Sequence, residues 1–333
     1  MSKKSLSKNI SNCRICYSKD IVDILDLGNQ PTANQLIKNI KQKEKKFPLK
    51  LVLCKKCKTL QLSTTVSSKY LFSKYLWVTE TSDVAKKYSE IFYKRIKKKF
   101  GKSKPNYVLE IASNDGTFLK TFKNNKINVL GVDPAKNISK IANKKGIKTI
   151  SKFFDEKLAT KIKYKYGKPE IIIARNVIPH VEEIHDVVKG ISKIASKKSI
   201  VVIEFHYLKE IISGLQYDSI YHEHIFYYSI KSISNLFRKY NLFPHDIERS
   251  PISGGSLVLY FSKNKMNKTK SLNNLINIEK KSQINSVKKL LNFSRKCINH
   301  RNQLSNFINN KITQEIYGYG ASARSSTLLN FSK

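Results

Sequence analysis

The stretch from residue 108 to residue 131 constrains the fold of this chain more than any other. It reads VLEIASNDGTFLKTFKNNKINVLG, and Asp133 lies just beyond it. A short apolar run ends in a polar turn at residues 112–116, and a helical pattern and a second apolar run follow. This order of strand, tight turn, helix, strand and acid predicts the first βαβ unit of a nucleotide-binding sheet. We therefore expect a ligand at the carboxyl end of the first strand.

The polar turn favours S-adenosylmethionine over a dinucleotide. A dinucleotide fingerprint has three glycines, whereas this turn has one, Gly116. Asp133 can accept hydrogen bonds from a ribose diol. Any βαβ fold needs a tight turn here, so a sheet without this cofactor is the alternative. The residues predicted to bind the cofactor in this stretch are Glu110, Ala112, Asn114, Asp115, Gly116 and Asp133.

Two close cysteine pairs predict a structural zinc site in an N-terminal domain, residues 1–82. Cys13-x-x-Cys16 and Cys54-x-x-Cys57 supply four thiolates, which suits tetrahedral Zn²⁺ with no open position. Such a metal contributes to folding and not to chemistry. No βαβ pattern precedes the pairs, which disfavours a redox role, and unrelated cysteines are the other alternative. Reduced thiols fit a cytoplasmic protein.

An aromatic-rich segment, Tyr70–Ser82, lies between the cysteine pairs and the βαβ unit. It reads YLFSKYLWVTETS and holds the only tryptophan of the chain. It is either an ordinary core segment or a lid, in which Tyr75 would supply the active hydroxyl. The next residues, Asp83–Phe100, predict a basic amphipathic helix. Its core side is predicted to consist of Val84, Tyr88, Ile91 and Phe92.

Later apolar runs extend the parallel sheet through a central domain, residues 83–263. The runs at residues 170–174 and 199–204 read as central strands. A final order of helix, strand, glycine turn and strand predicts an antiparallel hairpin at the edge. The first of these runs ends in RNVIPHV, so Asn176 and His180 fall on the ligand side of the sheet. His180 is either structural or a site residue.

The run QYDSIYHEHIFYY, residues 216–228, is the most unusual in the chain, because Tyr221, His222, Glu223 and His224 are consecutive. In a strand, the two histidines would share a face and Glu223 would point away, which disfavours a metal site. General acid–base catalysis suits the run better, since a histidine titrates near neutral pH and here has a carboxylate and a tyrosine hydroxyl beside it. An ordinary polar loop is the alternative.

Residues 264–333 predict one or two long helices followed by the start of another domain. The helical periodicity runs over residues 272–310, and residues 315–317 predict a short strand. A glycine-containing turn with Arg324 follows, and a helix from Ser325 would offer its N-terminus to an anion. One strand and one helical turn do not make a domain. We therefore expect a truncated reading frame.

The composition argues against several other classes of protein. The formal charge is +39, from 63 basic and 24 acidic residues. The lysines are spread along the chain without an RRM, KH or zinc-finger helix pattern, so no nucleic-acid partner is expected. No apolar run approaches the roughly 18 residues of a membrane span, and the N-terminus lacks the apolar core of a signal peptide. We expect a cytoplasmic protein that is a monomer or a weak homodimer.

Together these motifs resemble the sugar C-methyltransferase family, whose S-adenosylmethionine-dependent members methylate C3 of nucleotide-activated keto-deoxysugars. The shared motifs run in order along nearly all 333 residues: the cysteine pairs, YLWVTETS, EIASNDG, RNVIPHV, IYHEH, GGS and GYGASAR. The resemblance implies an α/β fold. It would combine a Rossmann-like class I methyltransferase sheet, a small N-terminal zinc-binding domain and a truncated second Rossmann-like C-terminal domain.

The resemblance also implies roles for individual residues. The catalytic residues of the family match Tyr75, His180, Tyr221, Glu223 and His224. In the resulting hypothesis, His224 is the base and Glu223 orients it. Tyr221 or Tyr75 would donate to the developing enolate oxygen.

Two departures from the family concern the substrate. Arg324 stands where the family usually has lysine, and most of the C-terminal domain is missing. A non-catalytic remnant that binds S-adenosylmethionine and zinc is therefore one alternative, and a methyltransferase for another small polar metabolite is the second. The cofactor itself would lie over residues 112–116, with Asp133 on the ribose and Asn176 near the adenosine.

Overall fold

The computed structural model describes residues 5–35, 37, 39, 41–72, 76–101, 103–311, 315–320 and 322–332. Contacts divide the chain into two compact units, each assembled from separate stretches. Unit 1 comprises Met1–Leu71, Tyr207–Ser232 and Asn277–Lys333, and unit 2 comprises Phe72–His206 and Ile233–Ile276. The three expected domains are consecutive in sequence, so their boundaries at 82/83 and 263/264 stay a prediction.

The regular elements of the described residues are numbered in chain order. The strands are β1 (Ser7–Asn9), β2 (Ile21–Pro31), β3 (Lys46–Cys54), β4 (Leu60–Leu62), β5 (Thr64–Val66), β6 (Tyr107–Ile111), β7 (Asn128–Val132), β8 (Thr149–Ile150), β9 (Ile171–Arg175), β10 (Ile200–His206), β11 (Phe226–Tyr227), β12 (Phe243–Ser250) and β13 (Ser256–Ser262). The helices are α1 (Ser68–Phe72), α2 (Asp83–Phe100), α3 (Thr117–Asn124), α4 (Lys136–Lys144), α5 (Glu156–Tyr166), α6 (Ile184–Ile194), α7 (Leu208–Ser213), α8 (Ile230–Arg238), α9 (Lys270–Lys281), α10 (Val287–Asn309) and α11 (Ala323–Phe331).

Unit 2 is built on a seven-stranded sheet with the order β12-β13-β10-β9-β6-β7-β8. The five strands from β10 to β8 in that order are parallel, whereas β13 runs antiparallel to both β10 and β12. The predicted βαβ unit is confirmed as β6, α3 and β7, and the predicted antiparallel hairpin is present at one edge. This is the α/β sheet that the sequence predicts.

The strand order identifies the edge of the sheet where a ligand fits. From β6 the chain moves outward to β7 and β8, and it then returns to the other side of β6 with β9 and β10. The order therefore reverses between β6 and β9. The carboxyl ends of these strands, Ile111 and Arg175, flank the crevice in which open α/β sheets bind ligands.

Helix α2 packs an aromatic face into the core of unit 2. Ser82 caps it by accepting a hydrogen bond from the backbone N–H of Ala85. Tyr88 and Phe92 are buried as predicted, but the prediction was wrong for two other residues: Val84 is 61% exposed and Ile91 is 46% exposed. At 3.6 residues per turn, these two lie roughly 80° and 100° from the centre of the face that Tyr88, Phe92 and Ile96 bury.

Unit 1 contains a four-stranded sheet with the order β11-β4-β3-β2, next to the separate pair β1 and β5. Its outer strand β11 comes from the later part of the chain, where Phe226 pairs with Gln61 and Tyr227 with Leu60. The sheet that contains the strands on either side of the second cysteine pair therefore also includes a strand that follows the Tyr221–His224 run.

The C-terminal stretch of the chain contains the predicted helices but not the predicted strand. Helices α9 and α10 match the predicted helical period. The predicted strand at residues 315–317 was wrong, because residues 315–320 have no regular structure and no strand of the described residues pairs with them. Helix α11 begins at Ala323, two residues earlier than predicted. Within the described parts of the chain, no helix is both long and apolar enough to cross a membrane.

Candidate functional site

The turn after β6 is sharply curved and carries the predicted cofactor residues of unit 2. Ala112, Asn114 and Gly116 have φ values of 55°, 50° and 79°. A Cβ atom on Gly116 would lie 2.8 Å from Ile147, a distance that real contacts do not reach. Glycine is therefore required at this position, because it tolerates the left-handed conformation and leaves room for the buried isoleucine.

The side chains of Asn114 and Asp115 hold the segment before α2. Asn114 Oδ1 accepts hydrogen bonds from the backbone N–H and hydroxyl of Thr79, at 2.9 and 3.0 Å, and its amide donates to the carbonyl of Trp77 at 3.0 Å. Asp115 is fully buried and accepts from the backbone N–H of Glu80 at 3.3 Å. Both residues therefore anchor the described end of the predicted lid, and their contact with a cofactor stays a prediction.

Lys145 completes this anchor and was missed in the sequence. Its Nζ lies 3.0 Å from Asp115 Oδ2 and also pairs with Glu80. Burial opposes its charge, but the hydrogen bonds to Glu80 and Asp115 outweigh this effect and raise the pKa of Lys145. Nothing in the sequence singles out this lysine among the many others of the chain.

Asp133, at the end of β7, lies beside the turn as predicted. One carboxylate oxygen accepts from the N–H of Asn114 and the other from the N–H of Ala135, both at 2.9 Å. Burial raises the pKa of Asp133, and the two backbone donors partly offset this. Each oxygen has a second lone pair, so the carboxylate can still accept from a hydroxyl of a bound ligand.

A buried ionic cluster joins the neighbouring strands β6, β9 and β10. Sequence reasoning identified only one of its members, Glu110. Arg175 Nε donates to Glu204 at 2.7 Å, and Arg175 Nη1 lies 3.8 Å from Glu110 Oε1. The other oxygen of Glu110 has no hydrogen-bond partner among the described residues. Burial raises the pKa of Glu110 to about 8, although Arg175 opposes the shift. The signal for Arg175 was a charge at the end of the apolar run EIIIAR.

Asn176 and His180 follow β9 on the same edge of unit 2. Asn176 has a φ of 48° and donates its N–H to the carbonyl of Glu204 at 2.8 Å. His180 ends a short 3₁₀ turn, with its ring edge-on to Phe72 at 6.0 Å between centroids.

The acidic groups near this edge outnumber the basic ones among the described residues, which suits a ligand with a cationic centre. The acidic groups are Glu80, Asp115, Asp133 and Glu204, together with Glu110, whose raised pKa keeps it mostly protonated at pH 7, and the basic groups are Arg175 and Lys145.

In unit 1, Tyr221 and His224 form a directly hydrogen-bonded pair. His224 Nδ1 donates to the carbonyl of Ser219 at 2.9 Å, which leaves a lone pair on Nε2 in the neutral ring. Nε2 accepts from the hydroxyl of Tyr221 at 2.9 Å, and the two rings are 4.0 Å apart. This arrangement can move a proton between the phenol and the imidazole, as acid–base catalysis requires.

The predicted orientation of His224 by Glu223 was wrong. Adjacent residues point in different directions, and the Glu223 carboxylate instead accepts a 2.6 Å hydrogen bond from the side-chain amide of Asn34. The carbonyl of Ser219 takes the orienting position on His224. Glu223 is 3% exposed, and burial raises its pKa to about 7, with Asn34 opposing. A carboxylic acid with this pKa can give or take a proton near neutral pH.

His222 has a different environment from His224. It is buried, and its Nε2 donates to the carbonyl of Phe47 at 3.1 Å. Burial lowers the pKa of His222, so its ring is neutral at pH 7. The remaining predicted catalytic residue, Tyr75, lies outside the described residues.

The four cysteines of the two pairs come together in unit 1. Their sulfur atoms all lie within 4.8 Å of one another, with Cys13 and Cys57 at 3.6 Å and Cys16 and Cys54 at 3.4 Å. Zn–S bonds of 2.3 Å in a tetrahedron place the sulfurs about 3.8 Å apart. The four thiols therefore fit a structural zinc ion with no open position.

The surroundings of the cysteines also suit a metal–thiolate centre. Gln61 donates to Cys13 Sγ at 3.2 Å, and the N–H of Ile15 donates to the same sulfur at 3.4 Å. A hydrogen bond from Cys57 lowers the pKa of Cys13 to about 5, while burial opposes the shift. Donors around the sulfurs stabilise thiolate ligands.

Comparisons with known proteins match the chain in three consecutive parts. Family models described as a zinc binding domain, a methyltransferase domain and a C-methyltransferase C-terminal domain match residues 13–72, 84–245 and 251–333. Among curated proteins, the C-methyltransferase NovU of Streptomyces niveus is 28% identical over 259 residues, which is 77% of this chain. The chain spans 62% of the length of that relative.

Solved structures are similar at low identity. The PH0226 protein of Pyrococcus horikoshii OT3 is 18% identical with a TM-score of 0.45, and the match covers 58% of this chain and 97% of that protein. The magnesium protoporphyrin IX methyltransferase of Synechocystis PCC 6803 is 11% identical with a TM-score of 0.41, covering 54% and 80%.

Proposed function

Because the chain belongs to the C-methyltransferase family that these three domains define, we propose that it transfers a methyl group from S-adenosylmethionine to a nucleotide-activated keto-deoxysugar. The acceptor atom is the carbon beside the ketone. The observation that carries this proposal is the C-methyltransferase C-terminal domain at residues 251–333, which follows a methyltransferase domain. The motif order of the sugar C-methyltransferases supports the substrate class.

The edge of the unit 2 sheet is the proposed cofactor site. Bound S-adenosylmethionine supplies an electrophilic methyl group on a sulfonium ion. The turn at residues 112–116 would hold it with Gly116, Asp133 would accept from its ribose, and Asn176 would lie near its adenosine. Glu110 adds a buried carboxyl group near a cationic ligand.

The Tyr221–His224 pair is the proposed acid–base group. Loss of a proton from a carbon beside a ketone is feasible because the enolate carries its charge on oxygen. The lone pair of His224 Nε2 accepts from the Tyr221 hydroxyl in this structure, and it would take this proton once that hydroxyl turns toward the substrate oxygen. Tyr221 or Tyr75 would donate to the enolate oxygen, and Glu223 and His180 are further candidates for proton transfer.

Methyl transfer from isotopically labelled cofactor tests the proposal. The protein is incubated with [methyl-¹³C]S-adenosylmethionine and a thymidine-diphosphate 4-keto-deoxysugar, and NMR identifies the labelled atom. We expect a new C–CH₃ group on the sugar. In deuterated water, the wild-type protein should also exchange the hydrogen of the reactive carbon.

Two variants separate the proposed roles. His224→Gln should lose both exchange and methyl transfer, by about 10²-fold or more, whereas Asp133→Asn should mainly weaken cofactor binding. A labelled methyl group on an oxygen atom of the sugar would contradict the proposed reaction. Full hydrogen exchange in His224→Gln would contradict the assigned base. Binding of the cofactor without binding of the sugar nucleotide would favour a non-catalytic role.

A further inference from the structure

Two side chains of helix α11 hold the segment that precedes His224, and all of these residues belong to unit 1. Arg324 forms a two-pronged ion pair with Asp218, from Nε to Oδ2 and from Nη2 to Oδ1, both at 2.8 Å. One turn further along α11, the hydroxyl of Thr327 donates to the carbonyl of Ile220 at 2.7 Å. The two contacts therefore fix the backbone on both sides of Ser219.

Ser219 matters because its carbonyl sets the proton position on His224. It accepts from His224 Nδ1 at 2.9 Å, so the lone pair of the neutral ring stays on Nε2, toward the Tyr221 hydroxyl. An imidazole whose Nδ1 lacks a fixed acceptor samples both tautomers, and one of these has a proton on Nε2 and cannot act as a base there.

The two contacts differ in how firmly they hold. Thr327 and Ile220 are buried, at 2% and 0% exposure. The side chains of Arg324 and Asp218 are 39% and 25% exposed, so water and salt screen their attraction. The hydrogen bond from Thr327 is therefore the stronger constraint on the Ser219 carbonyl, and the ion pair adds direction.

We propose that Thr327 and Arg324 are positioning residues for catalysis, which act by holding the Ser219 carbonyl on His224 Nδ1. The C-terminal helix then sets the tautomer of a catalytic base, in addition to any role in binding the acceptor. Arg324 is the cation assigned from the sequence to the glycine-containing turn, and in the structure its guanidinium group binds Asp218. The inference rests on the proposed function, because it takes His224 as the base.

NMR of protein labelled with ¹⁵N-histidine tests this directly, since the two neutral tautomers give different nitrogen shifts. His224→Gln assigns the His224 signals by their absence. Wild-type His224 should carry its proton on Nδ1. Thr327→Val, which keeps the shape and removes the donor, should bring the Nε2–H tautomer to a comparable share. It should also slow methyl transfer about tenfold with an unchanged KM for S-adenosylmethionine.

The conservative variants complete the test. Thr327→Ser keeps the hydroxyl and should restore both the tautomer and the rate. Arg324→Lys keeps the charge but loses the planar fork, so it should give a smaller shift in the same direction. Ser326→Ala is the control on the same helix, because no hydrogen bond of that hydroxyl is seen within the described residues, and it should change neither readout.

The NMR measurement tests the positioning role, and the activity measurement tests the proposed function, so the two can fail independently. A folded Thr327→Val protein whose His224 signals equal those of the wild type would overturn the positioning role, even if it were slower. If Thr327→Val did not fold, unchanged signals in Arg324→Lys would count against it in the same way. If the wild-type protein did not methylate the sugar, the proposed function would fail, while the tautomer comparison would still decide the positioning role.

Discussion

Glu223 shows how one residue acquires unusual chemistry from its surroundings. It is 3% exposed, and its carboxylate has a single donor, the Asn34 amide, among the described residues. One neutral hydrogen bond does not replace the water lost by a charged carboxylate. The pKa of Glu223 is therefore raised to about 7, mainly by burial.

This shift predicts a pH dependence of stability with a definite sign. In the unfolded chain Glu223 ionises near pH 4.5, but in the folded protein only near pH 7. The contribution of Glu223 to the free energy of unfolding is therefore greatest at acid pH, and it is lost as the pH rises from about 4.5 to 7. Glu223→Gln removes the titrating group. The change in the free energy of unfolding from pH 5 to pH 8 should therefore be about 2–3 kcal/mol more favourable to the folded state in the variant than in the wild type.

Urea unfolding of both proteins at several pH values measures this difference. Other titrating groups, including Glu110, are present in both proteins and cancel in the comparison. Parallel curves for the two proteins between pH 5 and 8 would show that Glu223 ionises normally in the folded state. An opposite slope would mean that its charged form is stabilised.

At the scale of the element, the turn between β6 and α3 depends on one glycine. Gly116 has a φ of 79°, and three atoms of Ile147 lie within 3.0 Å of where its Cβ would stand. Ile147 is 1% exposed, so its side chain is part of the packed core. The turn is therefore fixed by the packing of Ile147 against it as well as by its own backbone conformation.

Gly116→Ala should thus cost more stability than another glycine change of similar φ. Gly146 has a φ of 74°, but a Cβ there would meet only the tip of the flexible Lys123 side chain. We expect Gly146→Ala to cost about 1 kcal/mol and Gly116→Ala about 1–3 kcal/mol more, through overpacking. Thermal unfolding measures both, and equal losses would refute the role of Ile147. Gly116→Ala should also weaken binding of S-adenosylhomocysteine, whereas Gly146→Ala should not.

At the scale of the whole molecule, unit 1 joins parts of the chain that are far apart in sequence. Strand β11 pairs with β4, and β4 follows the second cysteine pair. Gln61 contacts the Cys13 sulfur and also pairs with Phe226 in the sheet. The metal site and the Tyr221–His224 run are therefore connected through one small sheet.

Removal of zinc should consequently disturb the acid–base run as well as the cysteines. We expect one zinc ion per chain by elemental analysis, and its loss in Cys57→Ser. Without the metal, hydrogen exchange at residues 221–228 should rise at least tenfold, because β11 loses its ordered partner. Cys297→Ser is the matched control, since Cys297 is a buried cysteine outside the four-cysteine cluster. Unchanged protection at residues 221–228 after zinc loss would contradict the connection.

The sequence by itself determined the features that depend on neighbouring residues. Strand β6, its turn and helix α3 follow from an apolar run, a glycine and a helical period within a short segment. Equal spacing within the two cysteine pairs was enough to predict a four-sulfur cluster. In each case the signal lies within a few residues, where chain geometry dictates which side chains meet.

Only the tertiary structure decided which distant groups meet. Glu223 faces Asn34, 189 residues away, and not the adjacent His224. Arg175 joins two buried glutamates, and Thr327 fixes the backbone next to Ser219. Local periodicity carries no information about such partners, because they are selected by packing and by the need to satisfy buried polar groups. The sequence thus determined the types of site, and the tertiary structure decided how each catalytic side chain is held.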